Sequence, residues 1–316
     1  MVEIVEGKLA RNETNASAMG GTEMMAIGMQ QRIPQELLKN FQIIHSRTRE
    51  LRDDLKKILV CHDLAGDPEV AHLKDGGYKK YDKLVFVSQW QFQQYHDFLG
   101  VPYNHSHILK NAIEPIVEHK KPNDGKIRII YHTTPHRGLG LLYPIFDALS
   151  KQHDNIELDV YSSFKIYGWE QRDEPYKALF DQLKQHPKIR YHGSVSNKEV
   201  RKALQSAHIF AYPSIWQETS CIALIEAMSA GCLCVHPNYA ALPETAANMT
   251  TMYQWDEDVQ IHANRAHRYL ESAIEHIKTY GVLDMNLQIH NTNNTFNWSR
   301  RQKEWTQFLS SFSKKS

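Results

Sequence analysis

The chain has 316 residues, enough for two packed domains, and its 41% hydrophobic and 23% charged content is that of an ordinary globular protein. That balance excludes disordered, collagen-like and mucin-like chains. Lys plus Arg total 37 against 36 Asp plus Glu, a net charge of +1, so no overall field recruits nucleic acid or an anionic membrane. No apolar run approaches the ~20 residues of a bilayer span, and the first residues, MVEIVEGKLARNETNAS, are too polar for a signal peptide. A cytosolic protein is expected, with peripheral attachment at an inner membrane face, through basic residues near Arg300, as an option. Cys61, Cys221, Cys232 and Cys234 sit in or beside apolar segments without a CxxC pair, which suits reduced thiols and no metal. The N-x-Ser/Thr triplets at Asn12, Asn15, Asn104 and Asn297 read as chance.

In chain order, Gly20 and Gly21 precede a helix expected over Thr22 to Arg32 with Thr22 as its cap, and no strand is expected before it. Strands follow in FQIIHS, KKILVC, DKLVFVS and SHILKNAI, with a helix from Trp90 to Leu99. The segment from Glu118 to Lys126 is charged, holds Pro122 and Gly125, and reads as a linker. A second series, KIRIIYHTT, IELDVYSSF, KIRYHGSV, AHIFAYPSI and GCLCVHPN, alternates with helix-length segments. After about residue 285 a polar stretch, NTNNTFN, leads to a last helix, WSRRQKEWTQFLSSF. The pattern is α/β, with two doubly wound units whose strand ends face a cleft. The expected division is 1–120, 121–290 and a final helix within 291–316 that packs on the first domain.

Four segments carry chemistry. In SIWQETSCIALIEAMSAG, Glu218 stands in the loop after a buried strand, and Thr219 or Ser220 is placed to cap a helix that buries Glu226 eight residues on. The first-turn amides of that helix form an anion site. In YHTTPHRGLG, Arg137 precedes a helix, where the dipole disfavours a cation by ~0.3–1 kcal/mol unless an anion shares the site. Together the two make a phosphate clamp that needs no metal. In SAMGGTEMM, Gly20 and Gly21 let a backbone approach a bound group closely, though the loop is neither a Walker loop nor a dinucleotide fingerprint. In KKILVCHDLAG, His62 and Asp63 end an apolar strand and are candidates for contact with a substrate hydroxyl or phosphate.

The E-x7-E pair of ETSCIALIEAMSAG, with AYPS before it and PNYAALPE after it, resembles the signature region of glycosyltransferase family 4, retaining nucleotide-sugar enzymes of GT-B fold. GGTE resembles that family's glycine loop, DKLVFVSQW with ILKNAIEP the stretch leading to its linker, TTPHRGL its phosphate loop, and NWSRRQKEW its crossover helix. The resemblance implies that Glu218 lies beside the donor sugar and that Glu226 binds the ribose hydroxyls. Arg137 would hold the diphosphate, aided by Thr133, Thr134 or His136 and by the amides of Thr219, Ser220 and Cys221. His62 would meet the sugar or leaving phosphate, Gly20 and Gly21 the β-phosphate, and the turn at Gly193 the base. Arg137 stands where the family has a lysine, Cys221 where glycine is common, and Ala112 where an Asn-Gly pair is usual.

The implied reaction is transfer of a hexose from a nucleoside diphosphate sugar, UDP favoured, to the hydroxyl of a carbohydrate, lipid-linked or other acceptor. Retention, no cofactor and no metal are expected, with Glu218, His62 and Arg137 at the chemistry. The rivals are an epimerase- or phosphorylase-like enzyme of the same fold and a non-catalytic nucleotide-sugar or glycan-binding module.

Overall fold

The computed structural model describes residues 2–11, 19–47 and 50–314, so the triplets at Asn12 and Asn15 lie outside the described residues. It divides into unit 1, Met1–Glu114 with Thr295–Ser316, and unit 2, Pro115–Asn294. Both are α/β, and no helix among the described residues is long and apolar enough to cross a membrane.

Unit 1 holds β1 (Val2–Val5), β2 (Lys8–Arg11), β3 (Phe41–His45), β4 (Lys56–Cys61), β5 (Lys83–Phe86) and β6 (Ser106–Ile108), in the order β2-β1-β3-β4-β5-β6. Its helices are α1 (Gly21–Arg32), the short α2 (Gln35–Leu38) and α3 (Gln89–Leu99). From β3 to β6 the sheet is parallel, whereas β1 pairs antiparallel with both β2 and β3. That opening hairpin corrects the expectation of no strand before the glycine loop. It turns at Glu6 and Gly7, whose φ values of 49° and 80° suit a tight two-residue hairpin turn. Only Val2 and Ile4 of β1 are buried, which is too brief an alternation to stand out in the sequence.

The central strands are continuous apolar runs because both faces are covered. Ile43, Ile58 and Val85 pack on one side with Met29, Trp305 and Leu309, while Ile44, Leu59 and Phe86 pack on the other with Phe92 and Tyr95. The segment SHILKNAI is strand only to Ile108, and Ile113 then makes an isolated bridge with Asn297.

Unit 2 holds β7 (Ile127–Tyr131), β8 (Ile156–Val160), β9 (Ile189–Tyr191), β10 (Ile209–Ala211), β11 (Leu233–Pro237) and β12 (Thr251–Tyr253). They form a parallel sheet in the order β12-β11-β10-β7-β8-β9. Its helices are α4 (Leu139–Gln152), α5 (Lys177–Gln185), α6 (Asn197–Ser206), α7 (Ile222–Ser229), α8 (Leu242–Ala246), α9 (Val259–Tyr280) and α10 (Asn286–Thr295), whose last residue falls in unit 1. Most of the polar stretch NTNNTFN is therefore helical, anchored by buried Gln288 and Thr292. Gln288 donates to the carbonyls of Met228 and Cys232 at 3.1 and 3.0 Å.

The charged segment 118–126 belongs to unit 2, since the division falls between Glu114 and Pro115. Lys121 donates to the Leu204 carbonyl at 2.6 Å and His119 to the Ala230 carbonyl at 3.1 Å, so its polar side chains serve as anchors. The last helix, α11 (Trp298–Ser310), is capped by Asn297, which accepts from the Arg300 amide at 2.7 Å, and packs within unit 1.

Candidate functional site

In unit 2 the chain runs from β7 outward to β8 and β9, then returns to place β10 on the other side of β7. The strand order reverses there, and ligands of open parallel sheets bind beyond the carboxyl ends of such a strand pair. Arg137 follows β7 and Glu218 follows β10, so the sheet topology alone brings these two loops together.

The loops lock by backbone as well as side chain. Ile215 N–H donates to the Arg137 carbonyl at 3.2 Å. Gly138 has φ 133°, and a Cβ there would lie 2.2 Å from the Pro213 carbonyl oxygen, so only glycine lets the strands' loops close up. Glu218, 5% exposed, accepts from both the Arg137 guanidinium and the Tyr212 hydroxyl. Arg137 Nε donates to Thr134 Oγ1 at 3.1 Å, and its guanidinium carbon lies 5.9 Å from the centre of the Trp216 ring. A buried ion pair needs further partners to hold, and here the Tyr212 hydroxyl shares the Glu218 carboxylate, Thr134 takes Arg137 Nε and the Trp216 ring lies over the guanidinium.

His136 stacks on Phe164 with centroids 5.1 Å apart and meets Trp216 edge-on at 4.7 Å. Burial, with Arg137 and Arg172 nearby, pushes its imidazole down to about 4, so the ring is neutral at physiological pH. Its Nδ1 is buried without a hydrogen-bond partner among the described residues. Thr133, half-buried, lies in the same loop.

Cys221, not Thr219 or Ser220, is the N-cap of α7: its Sγ accepts from the Leu224 amide at 3.4 Å. Thr219 and Ser220 lie in the loop between Glu218 and the cap. The Ala241 amide of the PNYAALPE loop donates to the Glu218 carbonyl at 3.1 Å, tying that motif to the same loop.

Glu226, 3% exposed inside α7, accepts from Asn197 Nδ2 at 3.1 and 3.2 Å and from Arg201 NH1 at 3.0 Å. Burial raises its carboxyl above the usual range even against these partners. Gly193, at φ 65°, forms the turn between β9 and α6.

The remaining candidates belong to unit 1. Gly20, not Thr22, is the N-cap of α1, with no side-chain cap bond; the helix already starts at Gly21. His62 follows β4, and its Nε2 lies 3.1 Å from Nδ1 of His45, the last residue of the neighbouring β3. Burial pushes His62 down to about 4 and raises Asp63, whose carboxylate lies 3.7 Å from Arg47 Nε. The loop is fixed by Gln91, which donates to the carbonyls of Cys61 and Asp63 at 3.1 and 3.0 Å.

Sequence reasoning passes over Tyr212, Asn197 and Arg201. A signal for the last two exists: a glutamate inside an apolar helix demands a cation, and Asn197 and Arg201 stand four apart along amphipathic α6.

Residues 113–276 match the family of glycosyl transferases group 1, so the chain belongs to that family. A human phosphatidylinositol N-acetylglucosaminyltransferase subunit is 24% identical over 208 residues, which make up 63% of this chain and 40% of that protein. The chain thus spans only 40% of the length of that curated relative. Among solved structures, a glycosyltransferase from Rickettsia africae superposes with TM-score 0.66 at 15% identity, over 87% of this chain and 77% of that one. Anabaena Alr3699/HepE, in complex with UDP and glucose, superposes with TM-score 0.62 at 12% identity, over 92% and 83% of the two chains. The fold is therefore the GT-B fold of these glycosyltransferases, built from two α/β units.

Proposed function

We propose that the chain is a family 4 glycosyltransferase that moves a hexose from a nucleoside diphosphate sugar to an acceptor hydroxyl with retention. The observation that carries this reading is the Arg137–Glu218 pair in the loops after the two strands that flank the reversal of unit 2. A diphosphate beside that pair is a stronger ligand for the guanidinium than one shared carboxylate, because it offers bidentate, charge-assisted bonds. Arg137 turning to the diphosphate leaves Glu218 held by Tyr212, with its negative charge beside the sugar.

In this reading the leaving diphosphate takes the acceptor proton while Glu218 stabilises the positive charge that develops on the ring, so catalysis is positioning and electrostatics. Arg137 and the positive end of α7 balance the leaving group, which makes a divalent ion unnecessary. Glu226, oriented by Asn197 and Arg201, presents a fixed acceptor to the ribose hydroxyls. His136, uncharged, is a donor for a phosphate or sugar oxygen, with Thr133 and Thr134 in the same loop and the amides of Thr219, Ser220 and Cys221 as further donors. Gly193 leaves room for the base. For His62, Gly20 and Gly21 the family resemblance alone supports a role toward the sugar and the β-phosphate. HepE has been solved with UDP-glucose and pneumococcal GtfA with UDP and GlcNAc, which supports a UDP-linked donor.

The test is calorimetric titration of UDP, GDP, ADP and CMP, without metal, into the wild type and the Arg137→Lys, Arg137→Ala and Glu226→Ala variants. UDP is expected to bind tightest. Glu226→Ala should cost about 1–3 kcal/mol of nucleotide binding, a lost buried hydrogen bond. Arg137→Ala should abolish tight binding and Arg137→Lys restore part of it. Equal affinities across the four proteins would refute the site assignment, and an inverted anomer by proton NMR of the product would refute retention.

A further inference from the structure

Unit 1 carries a second concentration of charge that the glycosyl-transfer reading does not use. A trench of about 710 Å³ runs between the edge strand β6, with the residues just after it, and one flank of α11. That volume lies within the range of small-molecule sites. Its lining brings four permanent cations, Lys83, Lys110, Arg300 and Arg301, against one carboxylate, Glu304.

The electrostatics are unbalanced in a specific way. Glu304 is shared: its Oε1 accepts from Arg300 Nε at 2.8 Å and its Oε2 from Arg301. Arg301 is 3% exposed, and only its NH1 and NH2 are used, the latter on the Thr295 carbonyl at 3.1 Å; its Nε is buried without a hydrogen-bond partner among the described residues. A guanidinium so deeply buried with an idle donor is costly, and an anion held by the neighbouring cations offsets part of that cost through its charge. Burial accordingly lowers Arg301 to about 10. His107, whose imidazole burial and Lys83 push down, is neutral and stacks on Phe308 at 4.5 Å, giving the trench an aromatic side. As an edge strand, β6 also leaves alternate backbone amides facing away from the sheet.

We infer that this trench is a binding site for a small phosphate ester, gripped by Arg300, Arg301, Lys83 and Lys110 and flanked by the His107–Phe308 stack. Converging guanidinium and ammonium donors match a doubly charged phosphate better than a single carboxylate. The near-zero net charge of the chain, +1, sets a compact phosphate group apart from a nucleic-acid strand, which needs an extended basic stripe. The phosphate belongs either to a soluble molecule or to a lipid headgroup.

The inference is independent of the donor-site reading and is tested separately. Full-length protein carrying Arg137→Ala, so that unit 2 contributes no phosphate clamp, is titrated with inorganic phosphate, with and without the pair Lys110→Gln and Arg300→Gln. Both positions line the rim, so folding, checked by circular dichroism, should survive. Loss of two charge-assisted bonds should weaken phosphate binding about tenfold or more, while Lys110→Arg with Arg300→Lys retains it. The same pair on the wild-type background should leave UDP affinity unchanged. Flotation with phosphatidylcholine vesicles, with or without phosphatidic acid, whose headgroup is a phosphate monoester, separates the sources: capture by the phosphatidic-acid vesicles alone, lost in the Gln pair, assigns a headgroup; phosphate binding without capture assigns a soluble ester. Phosphate and vesicle behaviour that the Gln pair leaves unchanged, or no binding of either kind, overturns the site.

Discussion

Replacing Arg201 by alanine tests how Glu226 is held. Arg201 NH1 donates at 3.0 Å to a carboxylate that is 3% exposed, and Asn197 Nδ2 approaches its two oxygens at 3.1 and 3.2 Å. Removing the cation from a buried pair costs about 3–5 kcal/mol when the remaining charge stays ionised. Asn197 offsets part of this, so a loss of about 2–4 kcal/mol in the opening free energy of α6 and α7 is expected near pH 7. Hydrogen exchange with mass spectrometry on peptides from 197–206 and 222–229 reads it locally.

The sign with pH follows from the raised carboxyl. A folded-state value above the unfolded one means that Glu226 contributes most below the ordinary glutamate range and that this contribution is lost as pH rises through the folded value. Without Arg201 the folded value rises further, so the deficit relative to wild type should shrink as pH falls toward 5. Glu226→Gln in the Arg201→Ala background should recover stability at pH 7. A deficit below about 0.5 kcal/mol, or one unchanged between pH 7 and 5, would refute a charged, Arg201-dependent Glu226.

Three further outcomes are expected. Gly28→Ala places a Cβ 2.1 Å from the Trp298 ring, so it should cost about 1–3 kcal/mol by overpacking, with the loss reduced by a companion Trp298→Leu; urea melts check this. Gly138→Ala, strained at φ 133° and 2.2 Å from the Pro213 carbonyl, should weaken UDP binding by displacing Arg137, whereas Gly140→Ala, with no atom within 4 Å, should be neutral in the same calorimetric assay. Buried His62 and His236, pushed down to about 4, are neutral when folded but protonate below about 6.5 once unfolded. Each should therefore subtract about 1.4 kcal/mol per pH unit as pH falls from 6.5 to 4, and His62→Gln should flatten that slope in pH-dependent denaturation curves.

What can be read from the sequence follows from the range of the forces involved. The parallel strands are visible because burial on both faces writes an unbroken apolar run, as in KKILVC and KIRIIY. The β1–β2 hairpin is not, since only alternate residues of a four-residue strand are buried. β12, three residues long, is too short to register. At the site, Arg137 and Glu218 announce themselves locally, a cation before a helix and an acid in a strand-ending loop. Their neighbours do not. Arg201 reaches Glu226 across 25 residues of sequence, and the Arg137–Glu218 pairing spans 81. Such contacts exist only once the strand order is set. The caps escape for a related reason: Thr22, Thr219 and Ser220 have good capping chemistry, but the helices start at Gly21 and Ile222, which puts the caps at Gly20 and Cys221 instead.

The membership of α11 in unit 1 has a consequence for biosynthesis. Unit 2 is one uninterrupted segment, 115–294, whereas unit 1 needs residues from both sides of it. As the chain leaves the ribosome, unit 2 has its whole core in hand before the layer formed by Trp305, Phe308 and Leu309 has been made. Until then the sheet face bearing Ile43, Ile58 and Val85 lacks part of its cover. The unit whose translation begins first is therefore the one that finishes folding last, and a nascent chain stalled before Trp298 would present that apolar face to chaperones.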